Sequence, residues 1–204
     1  MIRAIRESDA GAVAALHQRT LRSDMSGVSG RRLLACNYRA LASGFGGVGY
    51  VAISADGQLM GFVCGVWSPS QLRSALLRLS WMRLLIWGTL HVLFHPGMLM
   101  GFVKRMAAPR ARGGAPACPA PPSTYELRPI AIAPECRGDG TAAHLLERLL
   151  GDASGRGYVT VTLKTECDNG RANAFYVKHG FVKECVEGGY NHYRISVHPA
   201  ERRQ

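Results

Sequence analysis

The chain has 204 residues, 47% of them apolar and 19% charged, with a formal net charge of +11. That length fits one sizeable core with an insertion and is short for two independent domains, and neither a disordered nor a periodic fibrous or repeat architecture suits the composition. The cation excess favours an anionic partner, whether nucleic acid, a phospholipid surface or a phosphate-rich small molecule.

Residues 1–13, MIRAIRESDAGAV, run straight into a strand over 2–6 and a helix, without the apolar stretch and small-residue cleavage site of a signal peptide, which points to the cytoplasm. Ser8 is read as the helix cap, with Val13, Leu16 and Leu21 at helical spacing. A second helix is expected over 29–41. The run SGFGGVG at 43–49 reads as a flexible loop. Gly44, Gly46 and Gly49 match G-x-G-x-x-G, but they follow a helix and precede a strand, the reverse of the order a dinucleotide site needs. YVAIS and LMGFVCGVW flank Asp56-Gly57 as a hairpin.

From Pro69 to about Met106 the chain is helical and greasy, and from Ala107 to Ser123 it is rich in Pro, Gly and Ala, as in a linker or mobile loop. No acid occurs between Asp56 and Glu126, whereas Arg73, Arg78, Arg83, Lys104, Arg105, Arg110 and Arg112 all lie there, so seven of the net charges belong to this arm. His91 and His95 stand i, i+4, but no acid or cysteine completes a metal set, and packing or substrate contact explains them better. Residues 84–103 carry no charge over 20 positions, yet Gly88, Pro96, Gly97 and Gly101 argue against a membrane span. A surface-binding helix and a lid over an acceptor site both remain open for the arm. Beyond it, a strand over 125–133, a helix over 141–150 and a strand over 158–164 with Val159, Val161 and Leu163 on one face form a β-α-β unit. A helix over 171–179 and strands over 181–187 and 190–197 follow. The six cysteines, at 36, 64, 118, 136, 167 and 185, form neither C-x-x-C nor a zinc pattern and read as reduced thiols.

The chemistry concentrates in YELRPIAIAPECRGDGTAAHLLERLL, where a strand passes through a glycine-bearing turn into a helix with Leu145, Leu146, Leu149 and Leu150 on one side. Such a turn offers backbone N–H groups at the positive end of a helix dipole, a site for phosphate oxygens. Gly138 and Gly140 leave room for a diphosphate and Arg137 adds a positive charge. Pro129 lacks a ladder donor, so a bulge is expected at 128–130 that opens a slot beside the strand.

The sequence Arg137-x-x-Gly140-x-Ala142 after Ile130-Ala131-Ile132, followed by Asn169, Ala172, Phe175-Tyr176 and Gly180-Phe181, resembles the two signature stretches of the GNAT superfamily of acyl-CoA N-acyltransferases. The resemblance covers 1–66 and 125–197 but not the middle. It implies an α/β (α+β) GNAT-like fold: a mixed, mostly antiparallel sheet of about seven strands with a splayed parallel pair, flanked by helices, in a single domain over 1–204 with a helical insertion at 67–124. It implies further that Ile130, Ala131 and Ile132 pair with the pantetheine of acetyl-CoA, that Arg137, Gly138, Asp139, Gly140, Thr141 and Ala142 wrap the diphosphate, and that Asn169 bonds the pantetheine. Tyr176 is implied as the group at the cofactor sulfur, where a phenol stabilises or protonates the departing thiolate.

Glu126 is the candidate base for the attacking amine, with a structural salt bridge as the alternative. Asp139, unusual in a diphosphate loop, is expected to face solvent, and Thr141-Ala142 departs from the commoner bulky residue and glycine. The expected reaction is direct acetyl transfer to a primary amine of a small acceptor, with an anionic amino sugar or nucleotide-linked amino sugar suiting the basic arm. A protein N-acetyltransferase and a CoA-binding module that docks on a membrane or a partner are the alternatives. No metal and no nucleic acid are expected, peripheral contact with the inner face of a membrane would run through 70–112, and the oligomeric state is open, with a homodimer as one option.

Overall fold

The computed structural model describes residues 1–21, 25–94 and 124–197. Strand β1 (Ile2–Ala4) leads through a 3-10 turn (Glu7–Asp9) into helix α1 (Ala10–Thr20), followed by helix α2 (Gly27–Ala42). Strands β2 (Gly47–Ile53) and β3 (Leu59–Val66) form a hairpin, and helix α3 (Pro69–Phe94) follows. Strand β4 (Tyr125–Ile132), helix α4 (Thr141–Gly155), strand β5 (Thr160–Glu166), helix α5 (Gly170–Lys178) and strands β6 (Val182–Glu187) and β7 (Tyr190–Ser196) complete the order. The helical reading over 95–106 and the Pro/Gly/Ala-rich stretch over 107–123 lie outside the described residues.

The seven strands make one sheet in the order β1-β2-β3-β4-β5-β7-β6. Each neighbouring pair is antiparallel except β4 with β5, so the mixed sheet with one parallel pair agrees with expectation. One face is covered by α1 and α2, whose Val13, Leu16, Tyr38 and Leu41 pack on Phe62, Cys64 and Val66. The other carries α4 and α5, where Leu145, Leu146, Leu149 and Tyr176 meet Val63, Tyr125, Val161 and Leu163. The Asp56-Gly57 hairpin forms as read, with Gly57 at φ 78° and its N–H donating to the Ser54 carbonyl at 3.2 Å.

Several local expectations change. Ser8 does not cap α1, because it lies inside the 3-10 turn. Asp9 instead accepts from the Arg6 N–H at 2.7 Å and pairs with Arg3 at 2.6 Å. The glycine run is not all loop: Gly47 and Gly49 sit in β2 opposite Val66 and Cys64, where Ile5 packs too closely on Gly49 to admit a side chain. Val159 precedes β5 and is exposed, leaving Val161 and Leu163 as the buried pair. The thiol reading holds for Cys36, Cys64, Cys136 and Cys167, which are free, but Cys185 is disulfide-bonded.

Candidate functional site

Along β4 the alternation of faces breaks once. Ile130 stands opposite Val63 and Leu127 opposite Gly65, so three steps along β4 answer two along β3. The extra residue falls at Arg128–Pro129, the expected bulge, and the missing Pro129 N–H costs no ladder bond there. Before it Tyr125 and Leu127 face α4; after it Ile130 and Ile132 do, and Ala131 faces α1 and α2.

β4 and β5 pair only at Tyr125–Val161 and Glu126–Thr162, while β5 stays paired with β7 throughout. From Leu127 to Ile132 the β5-facing edge of β4 is therefore open. At ~3.3 Å per residue this slot is about 20 Å long, the form in which an extended amide-bearing arm adds to a strand edge.

At the far end of the slot Pro134–Cys136 form a 3-10 turn, Gly138 and Gly140 take φ 94° and 86°, and α4 starts at Thr141. The left-handed glycines turn the chain so that the first N–H groups of α4 face outward. Arg137, Gly138, Asp139 and Gly140 are exposed. Asp139 is exposed but does not simply face solvent: its Oδ1 accepts from the Thr141 N–H at 2.8 Å. That backbone bond, together with the Thr141 hydroxyl, holds its carboxyl below the usual range. The Thr141 N–H is thus occupied, and Ala142 and Ala143 carry the outward N–H groups.

The near end is built around Glu126. Its carboxylate pairs with Arg128, Nη2 at 2.9 Å and Nε at 3.1 Å, so the salt bridge weighed from the sequence is present at the point where the strands part. Behind it the Tyr125 ring fills the space beside Gly65, where a Cβ would overlap it, and stacks on Trp67 at 5.8 Å. Asp152 of α4 accepts from the Tyr125 and Tyr50 hydroxyls, both at 2.9 Å, and from Arg156 Nε at 2.7 Å. Arg156 lies 3.9 Å over the Trp67 ring. Burial, reinforced by Asp152, pushes both phenols above their ordinary range. The cluster ties α4 to β2, β3 and β4 directly behind the fork, and the sequence reading missed it.

Tyr176 is 6% exposed and packs edge-on against Phe175 and Phe181 at 5.5 and 5.6 Å, in the cluster that includes Ile130, Ile132 and Leu163 of the slot. Burial pushes its phenol up, which keeps the proton on oxygen. Asn169 caps α5, its Oδ1 accepting from the Ala172 N–H at 3.1 Å, so its Nδ2 is the group left to face a ligand.

The residue that organises this corner is Asn173, which the sequence reading did not select. Its Nδ2 donates to the Glu166 and Asn169 carbonyls at 3.0 and 2.8 Å. Its Oδ1 accepts from Asn191 Nδ2 at 2.7 Å and the Tyr193 hydroxyl at 2.8 Å. An asparagine inside a helix, where it is a poor helix former, was the available signal.

On the opposite face His17 Nδ1 and the Tyr38 hydroxyl are 2.6 Å apart, and burial lowers the His17 pKa and raises that of Tyr38. His91 is buried and bonds Ser29 at 2.8 Å, in line with the packing reading; His95 lies outside the described residues.

The family model described as the acetyltransferase (GNAT) family matches residues 19–181. No curated protein sequence matches the chain. Among solved structures, the PaiA N-acetyltransferase of Thermoplasma acidophilum in complex with coenzyme A is 14% identical, with a TM-score of 0.60 over 96% of this chain and 98% of that one. The ribosomal-protein-S18-alanine N-acetyltransferase of Escherichia coli is 15% identical, with a TM-score of 0.58 over 100% and 97%. The E. coli GNAT family N-acetyltransferase YhbS in complex with CoA is 18% identical, with a TM-score of 0.53 over 95% and 80%.

Proposed function

The chain belongs to the GNAT acetyltransferase family, and from that premise we propose that it moves the acetyl group of acetyl-CoA to a primary amine of a small anionic acceptor, an amino sugar or nucleotide-linked amino sugar. The observation that carries the donor half is the fork at Glu126–Thr162, from which an open strand edge runs to the glycine turn at the start of α4. We read 1–204 as one domain, with 67–124 as its insertion. The donor's metabolic place, and not the state of the cysteines, supports a cytoplasmic reaction.

The residues divide the work along the slot. Backbone groups of Ile130, Ala131 and Ile132 bind the amides of the arm; Arg137, Gly138, Gly140 and the Ala142 N–H take the diphosphate; Asp139 and Thr141 fix the turn that presents them. Asn169 offers its Nδ2 to the arm. Acetyl-CoA supplies an activated acyl group on a thiolate leaving group. Tyr176, kept protonated by burial, is the O–H we assign to the departing sulfur. Glu126, at the fork, is the carboxylate we assign to the proton of the incoming amine, directly or through water. Its partner Arg128 orients it.

The anionic acceptor rests on charge. The helices on the Glu126 side, α2 and α3, contain Arg31, Arg32, Arg39, Arg73, Arg78 and Arg83 and no Asp or Glu, which favours an anionic over a polycationic amine. Release of CoA thiol from acetyl-CoA, measured with a nucleotide-linked amino sugar, a free amino sugar, spermidine and an alanine-terminated peptide, tests the reading. Turnover on the nucleotide-linked sugar is expected. Turnover confined to spermidine or the peptide replaces the acceptor, and no turnover on any amine, with CoA binding intact, replaces catalysis by a binding module.

A further inference from the structure

Helix α3 carries apolar side chains on its exposed side as well as on its packed one. Toward α2 it buries His91, which bonds Ser29, and on the same side Ser80 is buried beside half-buried Leu76, Leu84 and Trp87. Outward it turns Trp81, Met82, Leu85, Ile86 and Leu93, each more than half exposed at 55–70%. These recur at helical spacing on one stripe open to water. Thr89, on the same stripe, donates its hydroxyl to the Leu85 carbonyl at 2.7 Å, so the polar group there is satisfied within the helix.

The stripe lies among cations. Arg78 and Arg83 stand on or beside it; on the α2 side of the same layer Arg32 lies 5.5 Å over the half-buried Trp87 ring, and Arg31, Arg32 and Arg39 line a separate open depression with Gly11 and Ala35. Arg39 also pairs with Glu7 at 3.5 Å. Neither α2 nor α3 contributes a carboxylate. A second copy docked stripe to stripe would set these arginines against each other with no acid from the same helices between them. Nucleic acid would leave the aliphatic side chains in water. An anionic lipid surface satisfies both features at once, with the aliphatic groups and Trp81 below the headgroups and the arginines among the phosphates.

We propose that the α2–α3 layer is a docking face for an anionic phospholipid surface, with α3 lying in the interface. No described helix is long and apolar enough to cross a membrane, and α3, 26 residues and about 39 Å long, lies flat. The face has a fixed relation to the fork. α3 begins three residues after Val66, the β3 residue opposite Glu126. Docking therefore brings the acceptor end of the slot to the surface.

The experiment is co-sedimentation of the full chain with vesicles of phosphatidylcholine alone and of equimolar phosphatidylcholine and phosphatidylglycerol. Binding at least about tenfold stronger to the anionic vesicles is expected, weakened by salt and largely lost in Arg78→Gln/Arg83→Gln. Leu85→Ser/Ile86→Ser is expected to lose binding while keeping its affinity for CoA, which shows that the variant is folded. Tryptophan emission is expected to shift to shorter wavelength on anionic vesicles, and much less in Trp81→Phe.

Equal or absent binding to both vesicle types overturns the proposal. So does a dimer in sedimentation equilibrium that Leu85→Ser/Ile86→Ser dissociates, which assigns the face to a second copy. Shielding of Trp81 from iodide in the vesicle-free protein assigns it to the chain's own residues and likewise overturns it. Vesicle binding is read without substrate, so failure of the acceptor assignment leaves it standing, and the converse holds.

Discussion

Glu126 and Thr162 form the last rung between β4 and β5. Above them the two strands share a ladder; below them β4 stays with β3 and β5 with β7, and the gap runs toward Arg137. The rung puts a carboxylate at the apex of the slot and a helix N-terminus at its mouth. Reacting group and phosphate anchor are thereby separated by the length of one strand.

Tyr176→Phe removes only the phenol oxygen from an apolar cluster. Turnover is expected to fall by about 10²-fold or more, with CoA affinity unchanged in calorimetry. Because burial raises its pKa, the wild-type rate should show no alkaline loss from this group at about pH 10, where a free phenol titrates. Equal turnover in the two proteins removes Tyr176 from the reaction.

Asp139→Asn keeps an oxygen for the Thr141 N–H but takes a negative charge out of the phosphate turn. Asp139 and the diphosphate are like charges, and in water their repulsion is weak and screened by salt. CoA is expected to bind roughly fivefold more tightly at low salt, with the gain shrinking as salt rises. Weaker binding in the variant would mean that the carboxylate organises the turn rather than opposing the ligand.

Asp152→Ala leaves the Tyr125 and Tyr50 hydroxyls, on residues 0% and 4% exposed, without their acceptor. A loss of about 2–4 kcal/mol in unfolding free energy is expected from denaturant titration, and Asp152→Asn should lose less. The Arg156–Trp67 contact depends on the same carboxylate, so Arg156→Ala in the Asp152→Ala background should add little.

The bond from Arg3 lowers the Asp9 pKa, with the Arg6 N–H adding to it. In the folded chain Asp9 therefore ionises below its unfolded value of about 3.9. The stabilisation it brings is complete above that value and is lost as pH falls through the folded pKa. Asp9→Asn is expected to lower stability at pH 7 and to flatten the acid limb of stability below about pH 4. An unchanged limb would assign it to other carboxylates.

Asn173→Ala should accelerate hydrogen exchange across α5 and weaken CoA binding through the Asn169 cap, because Tyr193 and Asn191 lose their shared acceptor. An unaltered exchange profile would show the network to be redundant.

The slot and its anchor were legible because chain-local features make them: Pro129 withdraws a donor, Gly138 and Gly140 permit the turn, and the leucines of α4 mark its buried side. Asp139 is exposed as expected, and its bond to the Thr141 N–H went unread, since whether a short carboxylate also meets a nearby N–H depends on the backbone angles. Asn173 and Asp152 stayed hidden because their partners come from strands far along the chain. The orientation of α3 was also unreadable, as apolar residues occupy most of its circumference and only packing on α2 decides which turn inward.

The bulge at Arg128–Pro129 divides β4 into two reading frames. Odd-numbered residues face α4 before it and even-numbered residues after it. Regular pairing of these same residues without the bulge would turn Ile130 and Ile132 toward α1 and α2 and Ala131 toward α4; the extra residue between Leu127 and Ile130 keeps the isoleucines on the α4 side. The lining of the slot is thus set by where the extra residue sits as much as by the identity of the side chains.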